Sequence, residues 1–128
     1  MSAFEILAAA GLASAMLAVG YVIAGSPKIG SAILGAALAS GFGAFTAVTI
    51  AKEGVLLVWT NHTQNLWGVQ VWWDLLCAVV LTVFLIAPRA RAAGMRIIPW
   101  TLFIAATASI GLLAMAARLF WLEARMEK

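Results

Sequence analysis

Residues 65–99 read NLWGVQVWWDLLCAVVLTVFLIAPRARAAGMRIIP, and the fold turns on how they are read. From Leu66 to Ala87 the only charged side chain is Asp74. At 1.5 Å per residue, a helix over that run crosses a hydrocarbon layer of about 30 Å. Pro88 and Pro99 then bracket a loop carrying Arg89, Arg91 and Arg96. Proline lacks an N–H and fixes φ, so Pro88 is expected to stop one helix and Pro99 to start the next.

Apolar runs of similar length recur on both sides. The spacing predicts four helices, over 4–24, 30–51, 66–87 and 99–122. The expected architecture is all-α: a polytopic membrane protein whose four transmembrane helices form an antiparallel bundle, one domain over 1–128. Composition agrees, with 65% hydrophobic and only 10% charged residues in 128, where a soluble domain carries about a quarter charged. MSAFEILAAAGLASAMLAVGYVIAG at the N-terminus has Glu5 and no Lys or Arg before its apolar run. A secretory signal would begin with positive charge and carry a shorter run, so this segment is read as the first membrane helix.

GSPKIG at 25–30 is a tight turn between the first two helices. GVLLVWTNHTQN at 54–65 is too short to span and too apolar for a solvated loop; it is either a short interfacial segment or an extension of the second helix. Lys28 and the three arginines of 89–96 fall in loops on one side. The positive-inside tendency places that side in the cytoplasm and both termini outside, in the inner membrane of a cell. Opposing this are Lys52, Arg118, Arg125 and Lys128 on the other side. The net charge of +3 sits beside the apolar runs rather than in a basic stripe with accessible aromatics. It therefore speaks for topology and anionic lipid, not nucleic acid.

Within the second helix, Ser31, Gly35, Ala39, Gly43 and Ala47 recur four apart, with Ala32, Ala36, Ser40 and Ala44 alongside. Lipid supplies no hydrophobic drive between helices, so small residues that admit close backbone approach mark a packing ridge. This predicts a central place for that helix, or a contact with another subunit.

Asp74 is the candidate functional residue. An ionised carboxylate at such depth costs about 2.5 kcal/mol or more, so it is expected to face the bundle or a water-filled cavity, or to stay protonated. Trp67, Gln70 and Asp74 share a helical face. Arg118 on the last helix is a potential partner, for which Glu53 competes. Trp72 and Trp73 point about 100° apart; one of them would wall a pocket, or both would face lipid. His62, the only histidine, would be a polar anchor in a ligand site, although a surface position is its ordinary role. One His and one Cys make no zinc site and no bis-His haem. Trp59, Trp67 and Trp121 at the outer interface, with Trp100 at the inner one, form an aromatic belt. No nucleophile elbow, phosphate loop or HExxH pattern occurs.

From Gly41 to Glu123 the chain resembles a family of small bacterial inner-membrane proteins of unknown function. The resemblance is carried by Asn65, the Asp74-Leu75 pair inside a helix, the step from Arg91 to Gly94, and Trp100 at the start of the last helix. The chain departs from it in its first helix and in lacking an acidic residue before the basic loop. What the resemblance implies is a membrane architecture and no activity.

Three functions compete. The first is an accessory or binding subunit of a larger inner-membrane complex. The second is a membrane protein or enzyme binding a lipophilic molecule, such as a quinone, isoprenoid or lipid, around Asp74, Gln70, Trp67, Trp72, Trp73, Arg118, His62 and Glu53. The third is a small proton-coupled transporter acting as a homo-oligomer. No cofactor is legible in the sequence.

Overall fold

The computed structural model describes residues 1–25 and 28–128. Its elements are α1 (Ala3–Gly25), α2 (Ala32–Glu53), α3 (Leu57–Thr63), α4 (Leu66–Ala92), α5 (Ile97–Thr107) and α6 (Ser109–Met126). Among the described residues there is no strand. Three helices, α1, α2 and α4, are long and apolar enough to cross a membrane. The GSPKIG turn lies partly outside the described residues.

α1 buries none of its residues. α2 starts where Ser31 accepts the Leu34 N–H on its Oγ (3.1 Å) and ends at Gly54, whose φ of 79° a side chain would strain. Beyond that break, the 54–65 segment forms the short helix α3. Asn65 then caps α4, its Oδ1 accepting the Gly68 N–H at 2.8 Å.

Pro88 does not end its helix. α4 continues to Ala92, one missing hydrogen bond being offset by the packing of Ala87 and Ala90, both buried. Termination is the work of Gly94 instead. Its φ is 78°, its N–H donates to the Arg91 carbonyl (3.0 Å), and the Met95 N–H donates to the Ala90 carbonyl (2.9 Å). This is a Schellman cap, with its usual apolar contact between the third residue from the helix end and the second beyond the cap. Here those are Ala90 and Met95, both in the core.

The largest departure concerns the last apolar run. The expected single helix over 99–122 is divided at Ala108, whose φ of 49° and ψ of −113° turn the chain sharply. Pro99 sits in the first turn of α5, where its missing N–H has no partner to lose. α5, at 11 residues, is about 16 Å long and cannot cross the layer. α6 then folds back on it. A β-carbon at Gly111 would lie 2.8 Å from Ile104 Cα, so the two helix backbones nearly touch beside the turn. Ile104, Met115 and Leu119 join Ala90 and Met95 in the core, with Leu119 0% exposed.

Two contacts fix where the hairpin returns. Arg89 at the end of α4 binds Glu123 of α6 through Nε–H to Oε1 (2.9 Å) and Nη2–H to Oε2 (2.6 Å). Along α2, Phe120 covers Gly30, Ala117 meets Gly35 and Ile110 approaches Gly43. α6 therefore runs antiparallel to α2 and ends beside the basic loop, whereas an unbroken helix over 99–122 would have carried Glu123 to the end opposite Arg89. Seven of the eight Lys and Arg residues gather at this one end: Lys28, Arg89, Arg91, Arg96, Arg118, Arg125 and Lys128.

The small-residue ridge of α2 is used within the chain, with Gly35 and Ala39 buried. Its partner, α6, buries the most side chains and packs on both α2 and α4. The central element is thus α6, not the second helix. It closes only the half of the fold nearest the basic loop, reaching Val79, Val83 and Ile86 on α4.

Candidate functional site

The N-terminal half of α4 and its junction with α3 carry most of the residues singled out by sequence. At the junction Gly68 lets the helices touch, because a β-carbon there would stand 2.7 Å from the Asn61 carbonyl oxygen. Trp72 fills the corner. Its ring meets Trp59 edge-on at 6.1 Å between centroids and lies 5.6 Å from the His62 ring. His62 donates from Nδ1–H to the Val58 carbonyl at 2.5 Å. His62 and Trp72 are therefore brought together, in a structural corner at the end of the helix.

Asp74 is elsewhere. It is exposed, as are Gln70, Trp67 and Trp73. The residues by which α4 meets the core, Val79, Val83 and Ile86, lie about 120–180° around the helix from Asp74 at 100° per residue. Gln70 shares that outward direction. Among the described residues Asp74 forms no ion pair, so it does not tie two helices of this chain together. Trp73 belongs to a neighbouring face, an open apolar strip of α4 with Leu76, Cys77, Val80, Leu81 and Phe84.

Arg118 reaches neither Asp74 nor Glu53. Its guanidinium carbon lies 4.5 Å from the Trp121 ring centroid, and that of Arg125 lies 3.8 Å from the same centroid. The hairpin carries both to the basic end. Glu53, the last residue of α2, is exposed. Trp121 joins Trp100 at the basic end, facing Trp59 and Trp67 across the length of the fold.

Sequence reasoning missed the Arg89–Glu123 pair because it depends on the hairpin. The only signal was compositional: small and hydroxyl residues around the turn, TASIG at 107–111, followed by three charges within 118–125. Among the described residues, no group of three or more His, Cys, Asp or Glu side chains is placed to hold a metal. The chain matches no protein-family model, no curated protein and no solved structure, so function must be argued from this geometry.

Proposed function

We propose that the chain is an accessory or binding subunit of an inner-membrane complex, and that Trp67, Gln70 and Asp74 form the strip it offers to another chain. One observation carries the reading. Asp74, at hydrocarbon depth on a candidate span, points away from its own fold. Lipid tails repay nothing for a carboxyl group, whereas a polar or cationic group on a neighbouring helix does. Gln70, one turn away, supplies two donors and an acceptor for the same partner.

The proposed arrangement in the membrane follows from the gathered charge. α1, α2 and α4 cross, and the α5–α6 hairpin enters from the basic side and returns to it, taking the place of a fourth span in the bundle. Short flanking segments rich in Lys and Arg stay in the cytoplasm. That puts the C-terminus inside and the N-terminus outside, in place of two outer termini.

A second reading is supported by the open apolar strip of Trp73, Leu76, Cys77, Val80, Leu81 and Phe84 on α4, against which an acyl or isoprenoid chain would lie beside Asp74. Native mass spectrometry of the protein, extracted gently from its own membrane, separates the two. Co-release with different chains is the expected result. A lone chain retaining a lipophile favours the second reading, and a bare homo-oligomer removes the first.

A further inference from the structure

The end of α6 holds a feature that the subunit reading does not use. Arg118, Trp121 and Arg125 follow one another at intervals of three and four, so they share a face. Both guanidiniums pack on the one indole, at 4.5 and 3.8 Å from its centroid. Both charges are thereby held on one face of α6, two turns apart, and among the described residues neither has an acidic partner within ion-pair distance. The nearest carboxylate in sequence, Glu123, is on the other side of the helix and already taken by Arg89. Two guanidiniums stacked on one indole, neither paired with a carboxylate, are short of an anion.

The position says which anion. Trp121 stands at the level of the Arg89–Glu123 pair and the Lys28 loop, at the end of the bundle where charge first becomes abundant. Tryptophan is enriched at headgroup depth, and an arginine stacked on it is held there, its stem lying along the apolar flank of α6. Guanidinium matches phosphate in a bidentate manner. The remaining cations at this end draw negative lipid to the same surface.

We infer that Arg118, Trp121 and Arg125 form a binding site for the phosphate headgroup of an anionic phospholipid in the leaflet at the basic end. The site does not depend on which chains, if any, assemble around Asp74. Neither arginine is buried, so their replacement leaves the core intact.

The test is lipid competition on the whole chain, with phosphatidylglycerol and phosphatidylcholine in mixed micelles and retained lipid counted by native mass spectrometry. Wild type is expected to retain phosphatidylglycerol preferentially. Each lost cation should lower the preference about fivefold, so R118Q/R125Q should lower it about twenty-five-fold. R118K/R125K, which keeps charge but loses the fork and much of the stacking, should fall between, and serves as the readout if the glutamine pair fails to fold. R91Q/R96Q, the same charge loss elsewhere at this end, should keep most of the preference. Equal losses in the two glutamine pairs would reduce the effect to net charge and overturn the site. So would an unchanged R118Q/R125Q, or displacement of the lipid by millimolar inorganic phosphate, which would make it a soluble-anion site.

Discussion

Ala108 is a residue whose conformation belongs to glycine. At φ 49°, ψ −113°, its β-carbon crowds the backbone, at a cost of about 1–3 kcal/mol. Ala108→Gly should relieve that strain and raise stability by roughly 1 kcal/mol, seen as a higher melting temperature in detergent. An unchanged or lower value would mean the turn is not held in this geometry. Gly111 behaves oppositely, since an added methyl would press on Ile104 Cα at 2.8 Å, and backbone cannot swing aside as a side chain does. Gly111→Ala should cost about 1–3 kcal/mol by the same assay. The Arg89–Glu123 pair is bidentate but half open, with Arg89 46% exposed. A double-mutant cycle to alanine should give a coupling of about 1 kcal/mol or less that shrinks with added salt.

At the scale of the element, the hairpin decides the topology, and the prediction is direct. Cysteines placed singly at the exposed Ala92 and at Lys128 in a Cys77→Ser background should react with an impermeant maleimide from the same side of sealed vesicles. One at Ser2 should react from the other. Labelling of Ser2 and Lys128 from one side would restore a fourth full crossing. The sequence carried the helical class, the three long spans and the small-residue ridge because each rests on local quantities: run length, apolar composition and a four-residue period. The ridge could be seen at Gly35 and Ala39, but not its partner, since smallness marks an approach and does not say what approaches. The break at Ala108 was hidden for a physical reason. Thr107 and Ser109 beside it are small hydroxyl residues of a kind that membrane helices also carry in their interiors, and the turn is stabilised by contacts made only after folding, within the core of Ile104, Met115 and Leu119 and between Arg89 and Glu123. Arg118 was misplaced with it, since a depth counted along one straight helix fails once that helix folds back. Asp74 was legible as a residue needing explanation, and Trp72 with His62 as neighbours of the same segment. The direction in which Asp74 points required knowing which face of α4 meets α6.

For the molecule as a whole, the two halves differ. Towards the basic loop, α6 fills the space between α2 and α4; beyond the hairpin turn, side chains such as Trp67, at 81% exposed, and Trp73, at 66%, lie on the outside. Lipid covers apolar surface without cost, so exposure alone implies no partner. The carboxyl group of Asp74 within that surface is what lipid does not cover. This separates two stabilities that usually move together. Since Asp74 is exposed and forms no ion pair within the described residues, Asp74→Leu should leave the melting temperature of the isolated protein within the shift expected of a surface substitution, about 0.5 kcal/mol either way. In the native membrane the same change should strip away the chains that co-purify with the wild type, because leucine has nothing to pair with the partner's polar group. Asp74→Asn keeps an acceptor and adds donors, so it should retain assembly in part. Quantifying co-purified chains beside melting temperature checks both halves of the statement. A drop in the isolated protein's melting temperature with leucine would place Asp74 in an intramolecular tie. Intact assembly with leucine would move the interface away from the Trp67, Gln70 and Asp74 strip.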